Sequence, residues 1–423
     1  MSSPGAPTPP IHSTSAGART LVAGRLLTGT MDVAAGLVAV EAGRIIYAGR
    51  EQDYGAGTED PEVVRPGTGS MVLPGLIDLH CHGGFGADFP SADESAAREA
   101  IDALHRSGTT TLLASLVTAS RDDLLRGISL FARFTADGLV AGIHLEGPFL
   151  STARCGAQNP DWIRDPDLGL TRELLSAAGG SVQTMTYAPE RPGAAQLVDL
   201  LLAADVIPSL GHTDADSATA FDALALVHAR RGLQRPEAPS RPAGTVTHLF
   251  NGMPPMHHRS PGPVPACLRA AKAGLAVVEL IADDTHLDGQ TVLAVFELAG
   301  ADNIVLVTDS MAAAGLADGT YALGRSVVEV KDGVARLSRT GSIAGGTATL
   351  LQVLQRTIAA GVPAADAIRA ATLGPARVLD LSSELGDLRP GMRADLIIVD
   401  SDFALQAVMR DGSWLDPQPS GRT

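Results

Sequence analysis

The middle of the chain alternates short apolar runs with longer helical patterns, and this alternation constrains the fold more than any other feature. Eight runs have the composition of buried strands, namely 76–82, 109–116, 138–146, 183–187, 206–212, 245–248, 276–282 and 303–309. Amphipathic patterns separate most of these runs, for example Glu94–Arg106, Arg121–Phe134, Ala194–Ala204, Ala215–Arg230 and Gln290–Ala299. The alternation favours an α/β fold with a parallel (β/α)8 barrel of the TIM type. A doubly wound sheet is the alternative, although no Gly-x-Gly-x-x-Gly string follows a strand.

The two ends of the chain have a different character, with short strand-like runs and no helical pattern. These runs are Thr20–Leu27, Gly36–Val40, Arg44–Ala48, Ala394–Asp400 and Ala404–Met409. Their similar composition predicts one small β domain formed from residues 18–70 and 386–423, around a barrel of residues 71–385. The segment 1–17, rich in Pro, Ser, Thr and Gly, is predicted to be a disordered tail. The Gly-rich segment 310–345 is hairpin-like, which indicates a flap or insertion.

The composition argues against several classes of function. The chain has 32 basic and 47 acidic residues, a net charge of −15, and no basic cluster, so we expect no binding of nucleic acid or anionic membranes. No stretch has the apolar length of a membrane helix, and the N-terminus lacks the pattern of a signal sequence. The three cysteines (Cys81, Cys155 and Cys267) are widely spaced and offer no disulfide framework. We therefore expect a cytoplasmic protein.

The first strand-like run of the middle ends in a His-x-His pair. Side chains alternate along a strand, so His80 and His82 leave the same face, about 7 Å apart along the backbone. Two neutral imidazoles on one face can bind a single divalent ion. The plainer interpretation is two polar residues that enter a loop.

Four more residues of metal-ligand type stand at the ends of later predicted strands, and they favour the metal interpretation. They are Glu146, His212, His248 and Asp309. The C-terminal strand ends of a (β/α)8 barrel meet at the active-site rim, so all six side chains converge there. This set predicts one or two divalent metal ions, with Zn²⁺ as the first choice and Fe²⁺, Mn²⁺ or Co²⁺ as alternatives.

Roles within the set follow from its order around the barrel. Glu146 lies between the pair from the first strand and the pair from the fifth and sixth, so it can bridge two ions. Two ions hold a water between them and lower its pKa towards neutrality. Asp309 is then the general base, and as an acid it protonates the leaving nitrogen. The alternative for Asp309 is an N-cap role before Ser310.

Five strings that occur in order along the chain carry a resemblance to a known family. They are His80-Cys81-His82, residues 144–148 (His-Leu-Glu-Gly-Pro), residues 211–214 (Gly-His-Thr-Asp), residues 247–253 (Thr-His-Leu-Phe-Asn-Gly-Met) and residues 307–309 (Val-Thr-Asp). Together they resemble the N-acetylglucosamine-6-phosphate deacetylases, a branch of the amidohydrolase superfamily of metal-dependent barrel hydrolases. The likeness runs from about residue 20 to residue 412. The strings at 144–148 and 247–253 are specific to this branch.

The resemblance implies an amidohydrolase-type barrel, a small β-sandwich built from both chain ends, and a homodimer. It also implies hydrolysis of the acetamide of N-acetyl-D-glucosamine 6-phosphate to D-glucosamine 6-phosphate and acetate. The family's metal-binding glutamate matches Glu146, its two metal-binding histidines match His212 and His248, and its catalytic aspartate matches Asp309. Some members lack the first His-x-His and hold one metal. Here His80 and His82 are both present, which favours a second metal position whose occupancy stays open.

The resemblance further implies a set of substrate contacts: Ala157, Gln158, Asn251, Gly252, Arg259, His286, Ile343, Ala344 and Gly345. The backbone of Asn251-Gly252 occupies the family's phosphate position, and Arg259 matches an arginine that reaches the phosphate of the neighbouring subunit's site. Residues 343–345 match a loop that closes over the sugar. Two residues depart from the family pattern. Gln158 replaces a common histidine and cannot transfer a proton near neutral pH, and Asp284 replaces a common glycine.

Three other functions remain open from the sequence. An N-acetylgalactosamine 6-phosphate deacetylase would need only small changes in the pocket. A cyclic-amide hydrolase usually bridges its metals with a modified lysine, whereas this chain offers Glu146. A non-catalytic scaffold would have lost ligands, and none of the six is missing.

Overall fold

The computed structural model describes residues 19–55, 61–234 and 241–415, so the predicted tail, residues 1–17, lies outside the described residues. The described strands are β1 (Thr20–Leu27), β2 (Asp32–Glu41), β3 (Arg44–Arg50), β4 (Glu62–Val64), β5 (Met71–Pro74), β6 (Leu76–Cys81), β7 (Gly83–Gly84), β8 (Ala87–Asp88), β9 (Thr109–Leu116), β10 (Gly142–Glu146), β11 (Val182–Tyr187), β12 (Ile207–Leu210), β13 (Thr245–Val246), β14 (Val277–Leu280), β15 (Ile304–Leu306), β16 (Gly319–Leu323), β17 (Ser326–Lys331), β18 (Val334–Leu337), β19 (Leu396–Val399), β20 (Leu405–Arg410) and β21 (Ser413–Leu415). The described α-helices are α1 (Glu94–Arg106), α2 (Arg121–Ala136), α3 (Leu168–Ala178), α4 (Ala194–Ala203), α5 (Ser217–Gln234), α6 (Val264–Lys272), α7 (Gly289–Ala299), α8 (Leu350–Ala359), α9 (Ala364–Ala371) and α10 (Leu373–Val378).

Eight strands form the predicted parallel barrel. Their hydrogen-bonded order follows the chain, β6-β9-β10-β11-β12-β13-β14-β15, and each neighbouring pair is parallel. The first and last strands meet just beyond their ends. There the Asp309 N–H donates to the His80 carbonyl oxygen at 2.8 Å, and the His82 N–H donates to the Ser310 carbonyl oxygen at 2.8 Å. The barrel prediction is therefore confirmed, and the doubly wound alternative is wrong.

The helices around the barrel begin where the sequence provides a cap. The side chain of Asp93 accepts from the Ala96 N–H at 2.9 Å at the start of α1. Ser120 plays the same part for α2. Such caps satisfy backbone donors that a helix leaves unpaired at its N-terminus. The apolar faces of these helices, for example Ile101 and Phe131, are buried in one core with the strands β9 to β11.

Strands from both chain ends share a second sheet, with the order β21-β20-β19-β5-β1-β2-β3 and β4 beside β1. The join between the two ends is the antiparallel pair β5 and β19. Side chains alternate along a strand, so each of these two strands contributes side chains to two different hydrophobic cores. Val72 and Ile398 pack in the sheet's own core, whereas Leu73 and Ile397 pack against residues of the barrel. The domain limits at residues 70 and 386 stay a prediction.

The segment 310–345 forms a small antiparallel sheet of β16, β17 and β18, as its hairpin-like sequence predicts. Its turn is fixed to the barrel, since the Asp88 carboxylate accepts from the Gly324 N–H at 2.9 Å. Leu323 of this flap reaches the barrel mouth. Over residues 19–55, 61–234 and 241–415, no helix has the length and apolar character needed to cross a membrane.

Candidate active site

The barrel gathers the six predicted ligand residues at its C-terminal mouth. They lie at or just beyond the C-terminal ends of the strands β6, β10, β12, β13 and β15 and comprise His80, His82, Glu146, His212, His248 and Asp309. All are largely buried, and the most exposed side chain of the six, that of Asp309, is 14% accessible.

Three of these residues have a left-handed backbone. The φ angles are +46° at His212, +28° at His248 and +48° at Asp309. L-residues other than glycine rarely adopt this conformation, and it costs on the order of 1–3 kcal/mol each. Each strand therefore turns sharply at its end, and backbone strain concentrated in this way is typical of functional sites.

The ligand atoms fall into two sets, each within 4.8 Å. We call them the glutamate set (Glu146, His212 and His248) and the first-strand set (His80, His82 and Asp309). In the glutamate set, Oε1 of Glu146 lies 3.0 Å from Nε2 of His212 and 2.9 Å from Nε2 of His248. The two Nε2 atoms are 3.1 Å apart. Ligands of a tetrahedral zinc ion lie about 3.3 Å from one another when each is about 2.0 Å from the metal.

The first-strand set is similarly compact. Nε2 of His80 is 3.0 Å from Nε2 of His82, and Oδ1 of Asp309 is 3.4 Å and 3.3 Å from these two atoms. Glu146 faces this set too, with Oε2 at 3.2 Å from Nε2 of His82. The carboxylate of Glu146 thus lies between the two sets.

The outer nitrogens of the imidazoles show which nitrogen is free to bind a metal. Nδ1 of His82 is 3.2 Å from the Ser115 carbonyl oxygen, and Nδ1 of His212 is 2.8 Å from the Arg154 carbonyl oxygen. A carbonyl oxygen only accepts, so each Nδ1 must carry the proton. Each Nε2 then presents its lone pair to the centre, which is the arrangement of metal-binding histidines. The donor set therefore fits a divalent ion.

Glu279 belongs to the candidate site by its contacts, and the sequence analysis missed it. It is buried on β14, and its Oε2 lies 3.2 Å from Nδ1 of His80 and accepts from the His248 N–H at 3.2 Å. A carboxylate behind a metal-binding histidine orients the ring and raises its basicity. The available signal was a single acidic residue inside an otherwise apolar buried strand.

His144, two residues before Glu146, is also part of this neighbourhood without facing the ligand atoms. Its Nδ1 is 2.9 Å from the Ser115 hydroxyl and its Nε2 is 2.8 Å from the Thr186 hydroxyl. Burial lowers the pKa of His144 well below its ordinary value. The neutral ring packs edge-on against His80, with the ring centroids 4.4 Å apart, and so supports that ligand.

The two carboxylates of the centre are held in the charged form. Burial alone raises the pKa of Glu146. When no ion is bound, Nε2 of His212 and Nε2 of His248 can each donate a hydrogen bond to Oε1 of Glu146, and these bonds outweigh burial and lower the pKa of Glu146 well below its usual range. Burial acts in the same way on Asp309, and there the charge of His80 and the contact with His82 lower the pKa. Both carboxylates are therefore available as ligands or as a base.

A cavity of about 240 Å³ opens beside the ligand atoms. Seven of the nine predicted substrate contacts line it: Ala157, Gln158, Asn251, Gly252, His286, Ile343 and Gly345. Ala344 is instead buried in the flap core, where its N–H donates to the Ala335 carbonyl oxygen. Arg259 lies on an exposed loop outside the cavity of its own chain.

The structure shows the surroundings of the two residues that depart from the family pattern, Gln158 and Asp284. The side-chain amide of Gln158 donates to Oε2 of Glu146 and accepts from the Thr118 N–H at 2.8 Å, so the protein itself holds it. Asp284 has a φ of +60°, which explains why glycine suits this position and why an aspartate is tolerated. Its side chain is 65% exposed and lies 3.8 Å from Arg356, away from the cavity.

His286 supplies a polar wall of the cavity. Its Nδ1 lies 2.8 Å from Oδ2 of Asp283, and its backbone N–H donates to Oδ1 of the same carboxylate at 2.7 Å. Burial works against the charged imidazole, but the hydrogen bond and charge of Asp283 raise the pKa of His286. The ring is therefore suited to an anionic ligand.

Comparison with known proteins agrees with this geometry. The amidohydrolase family profile matches residues 71–415. The N-acetylglucosamine-6-phosphate deacetylase of Bacillus subtilis (strain 168) is 35% identical over 341 residues, which cover 79% of this chain and 81% of the relative. The N-acetylgalactosamine-6-phosphate deacetylase of Escherichia coli O157:H7 is 32% identical over 354 residues, which cover 81% of this chain and 87% of the relative.

Solved structures give the same result. The crystal structure of N-acetyl-D-glucosamine-6-phosphate deacetylase from Mycobacterium smegmatis is 38% identical, with a TM-score of 0.83 over 94% of this chain and 100% of that one. The N-acetylglucosamine-6-phosphate deacetylase of Thermotoga maritima is 29% identical, with a TM-score of 0.77 over 92% of this chain and 98% of that one. The chain therefore belongs to the amidohydrolase family and, within it, to the branch of amino-sugar-phosphate deacetylases.

Proposed function

We propose that this chain hydrolyses the acetamide of N-acetyl-D-glucosamine 6-phosphate to D-glucosamine 6-phosphate and acetate. The observation that carries the proposal is the glutamate set, with Oε1 of Glu146 at 3.0 Å and 2.9 Å from the two histidine nitrogens, next to the charged Asp309. The B. subtilis and M. smegmatis relatives bear the name of this enzyme.

The proposed cofactor is one or two divalent ions per subunit, with Zn²⁺ as the first choice and Fe²⁺, Mn²⁺ or Co²⁺ as alternatives. The residues that would hold them are His80, His82, Glu146, His212, His248 and Asp309. A divalent ion at this place supplies Lewis acidity towards the carbonyl oxygen and lowers the pKa of a water molecule. Imidazole nitrogens with a carboxylate suit zinc, and a second carboxylate also suits the alternatives.

Asp309 is the proposed general base and acid. Its carboxylate is charged and reaches the cavity, so it can accept a proton from the attacking water. It then returns that proton to the nitrogen as the carbon–nitrogen bond breaks, because an unprotonated amine leaves poorly. The products are a free amino sugar and acetate.

The phosphate is proposed to lie at Asn251-Gly252. Gly252 has a φ of +59°, and a Cβ there would lie 2.8 Å from Nδ1 of His212, so only glycine lets the backbone pass this close. Backbone N–H groups at such a turn can bind an anion. His286 offers a further donor in the same cavity.

We also propose a homodimer in which Arg259 reaches the phosphate site of the neighbouring subunit. The exposure of Arg259 outside its own cavity is consistent with that role, and a guanidinium fork fits phosphate oxygens well. The three cysteines are free thiols, which suits the reducing cytoplasm.

One alternative substrate has specific support. The E. coli relative, 32% identical, is an N-acetylgalactosamine-6-phosphate deacetylase, and the two sugars differ only at one hydroxyl group. Hydrolysis of a cyclic amide has less support. The chain has two lysines, Lys272 at the end of α6 and Lys331 at the end of β17, and neither lines the cavity where a modified lysine would bridge metals.

Metal-loaded protein should therefore release acetate from N-acetylglucosamine 6-phosphate. The assay should include N-acetylgalactosamine 6-phosphate and unphosphorylated N-acetylglucosamine, with metal content measured on the same preparation. Preference for the galactosamine compound would select the alternative. Absence of acetate from all three compounds, with metal bound, would refute the proposal.

A further inference from the structure

A second cavity, which we call the side cavity, adjoins the active-site cavity. It has a volume of about 190 Å³. Four residues line both cavities: Val117, Ala157, Gln158 and Leu323. The two cavities are therefore next to each other along these four residues. An apolar cavity of about 150 Å³ is large enough to hold a benzene molecule, so this volume is enough for a short alkyl chain.

The surface of the side cavity is more apolar than polar, and its charged side chains form one ion-paired group. Pro90, Ala119 and Trp162 contribute carbon surface. The Asp123 carboxylate contacts the guanidinium groups of Arg126 at 2.6 Å and Arg325 at 2.9 Å. The side chain of Arg325 is 78% exposed, so this group reaches the solvent.

The place of the side cavity around the barrel indicates which end of the substrate lies nearest to it. Val117 follows β9, the second barrel strand, whereas Asn251 and Gly252 follow β13, the sixth. Strands two and six are opposite each other in a ring of eight. The ligand atoms lie between these two sides. If the phosphate binds at Asn251-Gly252, the sugar extends from there to the metal centre, and the acyl carbon chain leaves the scissile bond on the opposite side, towards Val117.

We infer that the side cavity receives the carbon chain of the N-acyl group, so that this enzyme also hydrolyses N-propionyl and N-butyryl glucosamine 6-phosphate. This inference rests on the proposed function and extends its substrate class. The chemistry is unchanged by chain length. Water adds its oxygen to the acyl carbon, the carbon–nitrogen bond breaks, the nitrogen takes up a proton, and the acyl group leaves as a carboxylate.

The wild-type enzyme tests the inference first, with N-acetyl, N-propionyl and N-butyryl glucosamine 6-phosphate compared by kcat/KM for formation of the common amine product. One methylene that a pocket cannot accommodate changes kcat/KM by about tenfold or more. We expect the propionyl and butyryl compounds to stay within about tenfold of the acetyl compound. A larger deficit for the propionyl compound, with normal acetyl hydrolysis, would overturn the inference alone. No hydrolysis of any of the three would overturn it together with the proposed function.

A variant that fills the side cavity gives the second test. Ala119 lines only the side cavity, and Ala119→Phe should lower kcat/KM for the butyryl compound at least about tenfold while the acetyl compound changes less than about threefold. Ala136→Phe makes the same change on an exposed part of α2 and should alter neither value. An equal loss for both substrates in a folded Ala119→Phe protein would overturn the inference. Trp162→Ala, which enlarges the side cavity, should raise the butyryl-to-acetyl ratio, and a fall in that ratio would also contradict it.

Discussion

The side-chain amide of Gln158 connects Oε2 of Glu146 to the backbone N–H of Thr118, donating to the first and accepting from the second at 2.8 Å. Both polar atoms of the amide are engaged, so it cannot rotate without breaking a hydrogen bond. The contact leaves Oε1 of Glu146 directed at His212 and His248. Gln158 is thus a positioning residue for the carboxylate between the two ligand sets.

Gln158→Leu should weaken metal binding, because Glu146 loses the donor that orients it. Loss of such a partner behind a ligand lowers metal affinity by about tenfold to hundredfold. Metal retained after dialysis against graded chelator measures the effect. Gln355→Leu is the matched control, since the amide of Gln355 donates to the Phe403 carbonyl oxygen at 2.8 Å, outside the site cavity. Equal metal retention in the two variants would contradict a positioning role for Gln158.

Glu279→Gln should act on the other ligand set. Glu279 contacts Nδ1 of His80 at 3.2 Å, and an amide removes its charge at nearly constant size. We expect the metal affinity of the first-strand set to fall about tenfold to hundredfold. The glutamate set should keep its affinity, because the side-chain oxygen of a glutamine can still accept from the His248 N–H. If wild type binds two ions, calorimetric metal titration of the variant should show one weakened event and one unchanged event; if wild type binds one ion, in the glutamate set, its affinity should be unchanged. The control is Glu297→Gln on the exposed face of α7, and, where wild type binds two ions, weakening of both events, or of neither, would count against this role.

Local sequence was sufficient to predict the barrel and the place of the six candidate ligand residues at its strand ends. Helix and strand periodicities are local properties, and α1 spans Glu94–Arg106 as predicted. In a parallel barrel, the C-terminal ends of all strands lie on one face. A candidate ligand at such an end can therefore be assigned to that face without knowing which other residues it contacts. The structure accordingly brings together His80, Glu146 and Asp309 from strands far apart in the chain.

The residues that orient these ligands were not predictable in the same way. Glu279 and His80 are 199 positions apart, and their contact depends on strand register and on side-chain rotamers. The two hydrogen bonds of the Gln158 amide depend on the conformation of its loop, and no periodic sequence pattern predicts that conformation. The same holds for Asp284, whose φ of +60° and exposed contact with Arg356 depend on the conformation of its loop.

Asp309→Asn should lower turnover strongly, because an amide can neither accept the water's proton nor return it to the nitrogen. General acid–base groups contribute about 10² to 10⁴ in rate. Metal should stay bound through the glutamate set, and metal analysis should accompany the kinetics. Asp284→Asn removes a carboxylate that is 65% exposed and should leave turnover nearly unchanged. Near-normal turnover of Asp309→Asn would exclude its acid–base role.

Arg259→Ala should raise KM for the phosphorylated sugar and have little effect on the unphosphorylated one, because only a phosphate uses the guanidinium fork. Steady-state kinetics on both sugars measures the difference. Arg172→Ala, an exposed change on α3, is the control for lost surface charge. An equal change in KM for the two sugars would remove the phosphate role of Arg259.

His105 couples the stability of the barrel to pH. It is 4% exposed on α1, with Nδ1 at 2.8 Å from the Thr109 carbonyl oxygen and Nε2 at 2.9 Å from the Leu139 carbonyl oxygen. Burial, helped by the charge of Arg410, lowers the pKa of His105 to about 4, although the two carbonyl groups act in the opposite direction. The unfolded chain has a histidine pKa of about 6.5. Between these values the unfolded state binds more protons, so the free energy of unfolding falls as the pH falls.

His105→Gln should remove this part of the pH dependence. At about 1.4 kcal/mol per pKa unit, the wild-type chain should lose up to about 3 kcal/mol between pH 6.5 and pH 4 through His105 alone. Urea unfolding of wild type and variant across this range measures the difference, with carboxylate titration common to both. His228→Gln, a change on the exposed side of α5, should leave the wild-type slope intact. The same slope in His105→Gln and wild type would mean that the imidazole between these two carbonyl groups stays protonated when folded, since both ring nitrogens would then donate.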